Sequence, residues 1–224
     1  MKQGMIKKVV IFDMDGVLLN SEPYYFKYLN KKFTQLNLSV TREEYDGFVG
    51  LPSRKVWTYL ENTRGINLGI EDLMRHEEEE INSIFQQAPI THIQGVKDLL
   101  ESLHSLEVKM NVASSSYRST IELIIDRLGF DEYFKFLLSG TEVANGKPHP
   151  DIFLKSAELH NVKPSDCIVI EDSNNGLKGA NKAGMISVGF RNPGSGQQDL
   201  SEADIVIDDF QKKSIQSILD LLNV

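Results

Sequence analysis

Short apolar runs alternate along most of this chain with stretches that have helical spacing. From Gly95 onward five such runs are typical of β-strands, at residues 108–113, 136–139, 167–170, 185–190 and 204–207. Residues 8–12 predict a further strand, central in the sheet. Continuous apolar strands joined by helices predict a parallel sheet covered on both faces, because each crossover lays a helix across it. The predicted fold class is therefore α/β, with a doubly wound parallel sheet.

The pattern between residues 20 and 88 is different, because helical spacing continues there without an intervening strand. Ser21, Thr41 with Glu44 three residues later, and Ser53 are expected helix starts. We therefore predict a helical cap domain over residues 20–88, inserted into a core domain formed by residues 1–19 and 89–224. The acidic residues 77–80 are expected on the solvated side of a cap helix.

Composition limits the class of protein. Hydrophobic residues make up 41% of the 224 residues and charged residues 25%, as in a soluble globular protein. The net charge of −8 disfavours nucleic acid and anionic membranes as partners. One cysteine, Cys167, allows no internal disulfide and is expected to pack in the core. We expect a cytoplasmic protein that is a monomer or a weak dimer.

Asp13 and Asp15 lie at the end of the first predicted strand. Charges in that position are costly unless they face a ligand or a cation. In an extended chain the two side chains point the same way, with Cα atoms roughly 7 Å apart. Ligands of open α/β sheets bind at the carboxyl ends of the strands, so one metal ion or one phosphoryl group could meet both carboxylates.

The segment Asp13-Met14-Asp15-Gly16-Val17 resembles the first motif of the haloacid-dehalogenase-like superfamily. Three further segments resemble its later motifs in the same order: residues 112–116, 146–153 and 168–176. The likeness extends over essentially the whole chain and is strongest to members with a helical cap, the β-phosphoglucomutases and sugar-phosphate phosphatases. The resemblance implies a magnesium-dependent phosphatase acting on a small phosphorylated metabolite, with Asp13 as nucleophile and Asp15 as general acid and base.

The second and third motifs supply the expected phosphate-binding residues. The resemblance implies that Ser114 hydrogen-bonds the transferring phosphoryl group, with Ser115 beside it. A structural alternative is that Ser116 caps the following helix, which runs to Leu128. Lys147, in the third motif, is expected to offset the negative charge of the carboxylates and the phosphate.

The fourth motif places Glu171 and Asp172 directly after an apolar strand. The resemblance implies that Mg²⁺ is held by the side chains of Asp13 and Asp172 and by the Asp15 backbone carbonyl. Glu171 is a further candidate ligand, directly or through water, with capping of the next helix as the alternative. Such hard oxygen donors suit Mg²⁺.

Single residues distinguish a phosphatase from the other activities of the superfamily. Dehalogenases of the superfamily lack the second aspartate, so Asp15 argues against that activity. A phosphonatase needs an activated lysine in the cap; Lys55 is the nearest candidate, but none of the residues beside it in the sequence would activate it. β-Phosphoglucomutase is the serious alternative. Mutases carry a histidine where this chain has Tyr25, and a lysine shortly before a glycine where it has Val49-Gly50. These departures favour hydrolysis, and an inactive phosphate-binding module is the remaining alternative.

Two irregular segments complete the predictions. Residues 50–54 resemble the substrate-specificity loop of single-cap members, so Arg54 is a candidate for binding a distal anionic group of the substrate. An exposed arginine in the first turn of a helix is the alternative, and Trp57 is expected to pack within the cap. Residues 193–196 are expected to form a connecting loop only.

Overall fold

The chain is described by a computed structural model that covers residues 8–48 and 51–223. Its backbone contacts divide it into two compact units, one holding the chain up to Asn20 and from Ile90 onward, the other holding Ser21–Pro89. The first unit contains every strand of the described residues, and the second contains helices only.

The first unit is built on one parallel sheet of six strands, as the sequence predicts. The strands are β1 Val9–Phe12, β2 Lys109–Ser114, β3 Phe136–Ser139, β4 Cys167–Glu171, β5 Ile186–Phe190 and β6 Ile205–Ile207. Their order is β3-β2-β1-β4-β5-β6, so the expectation that the first strand is central is confirmed. Phe12 pairs with both Val112 and Ile170. The residues that follow β1, β2 and β4 therefore reach the same edge of the sheet.

The strands of this unit are apolar because both faces of the sheet are covered. All four residues of β1 and all five of β4 are buried. The covering helices are α5 Val96–Ser105, α6 Arg118–Leu128, α7 Asp151–His160, α8 Asn174–Ala183 and α9 Lys212–Asp220. Cys167 is fully buried in this core, and burial raises the pKa of its thiol to about 12. This confirms the expectation that Cys167 packs in the core.

The second unit comprises α1 Glu22–Gln35, α2 Arg42–Asp46, α3 Ser53–Arg64 and α4 Ile70–Gln87. Its core contains both aromatic and aliphatic side chains. Trp57 is fully buried and meets Phe33 edge to face, with ring centroids 5.7 Å apart. Trp57 therefore packs as predicted. Thr41 caps α2 as predicted, because its side chain accepts a hydrogen bond of 3.1 Å from the Glu44 backbone N–H.

Two predictions for the helical unit are wrong in detail. The expected helix start at Ser53 is correct, because α3 begins there, but Ser53 does not cap the helix, since Pro52 occupies the N-cap position. The acidic residues 77–80 are not a uniformly solvated face, because Glu77 is only 2% exposed and Glu80 forms ion pairs with Lys31 and Lys32. Gly50 and Val49 lie outside the described residues. Within the described ranges, none of the helices has the length and apolar composition needed to cross a membrane.

Candidate active site

Three carboxylates meet at the carboxyl edge of the sheet. Asp13 follows β1, Glu171 is the last residue of β4, and Asp172 follows it. The backbone N–H of Asp13 donates to the carbonyl of Ile170 at 2.9 Å, which extends the pairing of β1 with β4 by one residue. One oxygen from each carboxylate lies within 4.8 Å of the others, and all three residues are buried. Strand register therefore brings together acids that are far apart in the sequence.

Lys147 joins two of these carboxylates. Its ammonium lies 2.5 Å from Asp13 Oδ1 and 2.5 Å from Glu171 Oε1, and it donates to the Ala113 carbonyl at 2.9 Å. Only 6% of the lysine side chain is exposed. Its three donors are thus all engaged, and its position is fixed between the ends of three strands.

The acidic cluster carries more negative charge than Lys147 neutralises. Burial raises the pKa of Asp13 well above its ordinary value; Lys147 opposes that rise, and Glu171 and Asp172 add to it. Burial, and then the charge of Glu171, raises the pKa of Asp172 to about 8. Burial alone would lower the pKa of Lys147, but Asp13 and Glu171 together raise it. Ionising all three acids without another cation is therefore unfavourable.

Two glycines allow the acids to approach so closely. Gly16 has a φ of +82°, and a Cβ there would lie 1.8 Å from Asp172 Oδ2. A Cβ at Gly176 would lie 1.9 Å from Glu171 Oε1. The glycine in the first motif and the one in the first turn of α8 are therefore required by the carboxylates packed on them.

Glu171 is held through both of its oxygens. Oε1 faces Lys147, and Oε2 accepts from the Ser173 backbone N–H at 3.2 Å and from the Ser173 hydroxyl at 2.8 Å. The Ser173 hydroxyl in turn accepts from the Gly176 N–H, so Ser173 is the residue that caps α8. The carboxylate of Glu171 lies beside that helix N-terminus, which favours its negative charge.

Asp15 is oriented toward the end of β2. Its Oδ2 accepts hydrogen bonds from the Ser114 hydroxyl at 3.0 Å and from the Ser116 hydroxyl at 2.7 Å. Its Oδ1 is buried and has no hydrogen-bond partner among the described residues. A buried carboxylate oxygen without a hydrogen bond is energetically unfavourable unless a ligand supplies the missing partner.

The serines after β2 differ in their surroundings. Ser114 is fully buried, whereas Ser115 is exposed. The structural alternative for Ser116 is not supported, because Tyr117 occupies the N-cap position of α6 and the Ser116 hydroxyl donates to Asp15. Ser116 was missed as a site residue because its contact crosses 101 sequence positions.

The loop after β5 also reaches the site, which the sequence analysis did not foresee. The Ser195 hydroxyl donates to Asp172 Oδ2, and the Asn192 amide donates to the Gly16 carbonyl at 2.9 Å. The expectation that residues 193–196 form a connection and nothing more is therefore wrong. No spacing in the sequence signals these contacts.

Arg54 belongs to the helical unit, where it lies in the first turn of α3. Its guanidinium makes two hydrogen bonds to Glu71, of 2.6 and 3.1 Å. The Arg54 side chain is 53% exposed and that of Glu71 78% exposed. An ion pair this exposed contributes little to stability.

The donor set suits a divalent cation with a preference for oxygen. Carboxylates are hard ligands of the kind that Mg²⁺ prefers. Burial first, and then the charge of the neighbouring acids, raises the pKa of Asp13 and of Asp172, so ionisation of both is unfavourable unless a bound cation compensates. The residues present therefore fit a magnesium ion.

A parallel sheet with buried acids at its carboxyl edge is the arrangement of an α/β protein whose ligand binds at the ends of the strands. Residues 10–190 match the family model described as haloacid dehalogenase-like hydrolase. The chain belongs to this family of enzymes.

Relatives with assigned activities cover most of the chain. It is 32% identical to a phosphorylated carbohydrates phosphatase of Thermotoga maritima, over 80% of this chain and 82% of that protein. It is 30% identical to the β-phosphoglucomutase of Bacillus subtilis, over 89% and 88% respectively. The fold matches the crystal structure of CbbY from Rhodobacter sphaeroides in complex with phosphate, with a TM-score of 0.81, 24% identity and coverage of 92% and 95%.

Proposed function

We propose that the chain is a magnesium-dependent phosphomonoester hydrolase that acts on a small sugar phosphate or a related metabolite. The observation that carries this proposal is the buried cluster of Asp13, Glu171 and Asp172, bridged by a single lysine. Such a cluster suits a reaction in which a phosphoryl group is held by positive charge while a carboxylate attacks it. The similarity to a phosphorylated carbohydrates phosphatase supports the substrate class.

Asp13 is the nucleophile in this proposal. Lys147 bonds to Oδ1, which leaves Oδ2 as the attacking oxygen. Attack of Oδ2 on phosphorus forms an acyl phosphate and breaks the bond to the substrate oxygen. Asp15 donates a proton to that departing oxygen, and an alcohol is released.

Hydrolysis of the acyl phosphate uses the same two residues. Asp15, now ionised, takes a proton from a water molecule that attacks phosphorus. The Asp13–phosphorus bond breaks, inorganic phosphate leaves, and the Asp13 carboxylate is restored. The unpartnered Oδ1 of Asp15 is the atom we assign to both proton transfers, because Oδ2 is engaged by Ser114 and Ser116.

Positive charge in the site comes from two sources. Mg²⁺ would be held by Asp13, Asp172 and the Asp15 backbone carbonyl, with Glu171 near it, and when bound it neutralises charge on the phosphoryl oxygens. Lys147 contributes the second positive charge, with its ammonium 2.5 Å from Asp13 Oδ1. Ser114 can donate to a phosphoryl oxygen only after its hydroxyl turns away from Asp15 Oδ2.

A mutase is the second candidate, because the chain is 30% identical to the B. subtilis β-phosphoglucomutase. In that case a second sugar hydroxyl would replace water as the acceptor. Tyr25, at the position where mutases carry histidine, packs its ring edge to face against Phe85 in the helical unit. A phenol does not exchange a proton near neutral pH as an imidazole does, which favours hydrolysis.

A phosphate-release assay tests the proposed function. Purified protein is incubated with sugar phosphates, polyol phosphates and nucleotides, with Mg²⁺, with EDTA, and with EDTA followed by excess Mg²⁺. We expect release of phosphate from at least one sugar phosphate, loss of activity in EDTA and recovery with Mg²⁺. Equal rates with and without EDTA would refute the magnesium requirement, and no release from any ester would favour an inactive binding module.

A further inference from the structure

The loop after β5 makes its closest approach to the acidic cluster through Ser195. The Ser195 hydroxyl donates to Asp172 Oδ2, and a Cβ on Gly16 would lie 2.7 Å from the same hydroxyl oxygen. Ser195 is half-buried, and Asp172 is 5% exposed. The hydroxyl therefore packs into the space between the turn after β1 and the end of β4.

This loop is fastened to the site on both sides of Ser195. The Asn192 amide donates to the Gly16 carbonyl at 2.9 Å, and its oxygen accepts from the Gly194 N–H at 2.8 Å. The Gln198 side-chain oxygen accepts from the Asn174 N–H at the start of α8, and its amide donates to the Ser195 carbonyl at 3.2 Å. These contacts fix the backbone that carries Ser195.

Glu171 and Asp172 differ in how many of their carboxylate oxygens are hydrogen-bonded. Glu171 has both oxygens engaged, by Lys147 and by Ser173. Asp172 instead receives Ser195 on Oδ2, which leaves Oδ1 for a cation. A hydrogen bond to the second oxygen of a carboxylate ligand fixes its orientation and strengthens metal binding.

We infer that Ser195 is a positioning residue for the magnesium site, holding Asp172 so that Oδ1 faces the ion. This inference rests on the proposed function, because it concerns the cation that the reaction needs. It assigns residues 192–198 to the metal site, although they lie in the connection between β5 and β6 and carry no acidic residue. Removing the hydroxyl is expected to weaken Mg²⁺ binding by tenfold or more.

Calorimetric titration of Mg²⁺ into the metal-free protein tests the inference. Ser195→Ala should raise the dissociation constant at least tenfold, and the Mg²⁺ concentration for half-maximal hydrolysis should rise by the same factor. Ser195→Thr, which keeps the hydroxyl, should stay within about threefold of wild type. Ser195→Val, whose side chain has the shape of threonine without the hydroxyl, should behave like Ser195→Ala. Ser201→Ala is the matched control. Ser201 lies in the same connection between β5 and β6, and its hydroxyl also hydrogen-bonds an aspartate, Asp199.

The outcomes separate this inference from the proposed function. Equal Mg²⁺ affinity in wild type, Ser195→Ala and Ser195→Val would overturn the role of Ser195 and leave the magnesium requirement intact. A wild-type protein that binds no Mg²⁺ would overturn the magnesium site itself. Thermal unfolding in EDTA shows whether the loop tolerates each variant, and if alanine disturbs it, the comparison of threonine with valine decides the question.

Discussion

Replacing Gly16 by alanine should damage the site far more than the fold. The residue has a φ of +82°, which costs an alanine about 1–2 kcal/mol. The new Cβ would also lie 1.8 Å from Asp172 Oδ2, and ordinary contact begins near 3.4 Å. The carboxylate must therefore move by about 1.5 Å, and a misplacement of about 1 Å can reduce catalysis ~100-fold.

Gly184→Ala is the matched control for this prediction. Gly184 has a φ of +74° and nothing within 4 Å of its ideal Cβ, so it carries the backbone cost alone. Each kcal/mol lowers Tm by about 2–4 °C in a chain of this size. We expect Gly184→Ala to lose a few degrees and keep its kcat/KM, and Gly16→Ala to lose at least ~100-fold in kcat/KM. A kcat/KM for Gly16→Ala within threefold of that control would refute the reasoning.

Three further predictions concern the substrate, the acceptor and the metal. Arg54→Ala should lower kcat/KM for the best sugar phosphate more than for p-nitrophenyl phosphate, because remote binding energy assists only the larger substrate; equal effects would remove Arg54 from substrate binding. With β-glucose 1-phosphate and a trace of glucose 1,6-bisphosphate, product analysis should find inorganic phosphate or no reaction, and efficient formation of glucose 6-phosphate would instead identify a mutase. The pKa of Asp172 is about 8 in the folded state, above its value in the unfolded chain, so in EDTA the ionisation of Asp172 destabilises the folded state. This destabilisation grows as pH rises from about 4 to 8. Mg²⁺ should therefore raise Tm more at pH 8 than at pH 5 in calorimetric scans, and an equal increase at both would contradict the charge imbalance.

The sheet was predictable from the sequence because its strands are buried on both faces. The strand predicted at residues 136–139 is β3 Phe136–Ser139, and the strand predicted at 108–113 differs from β2 by one residue at each end. A continuous apolar run in such a sheet gives a clear signal that does not depend on distant contacts. The acids at the strand ends follow from the same signal.

The residues whose roles differ from the sequence predictions depend on tertiary contacts or, in one case, on helical spacing. Ser116 and Ser195 reach the acids through tertiary contacts, and nothing local distinguishes their hydroxyls from those of other loop serines. Glu77 is a different case, because it lies four residues before Ile81 and eight before Phe85, on the same buried face of α4. Helical spacing alone could have predicted its burial, but the charge of the acidic run was given more weight.

The covalent role of Asp13 is tested most directly by quenching the reaction in acid during turnover and mapping the phosphoryl group. With the best sugar phosphate and Mg²⁺, wild-type protein should carry one phosphoryl group on the peptide that contains Asp13. Asp13→Asn should fold, carry no phosphoryl group and release no phosphate. Near-wild-type hydrolysis by Asp13→Asn, or a phosphoryl group on a different residue, would contradict the proposed mechanism.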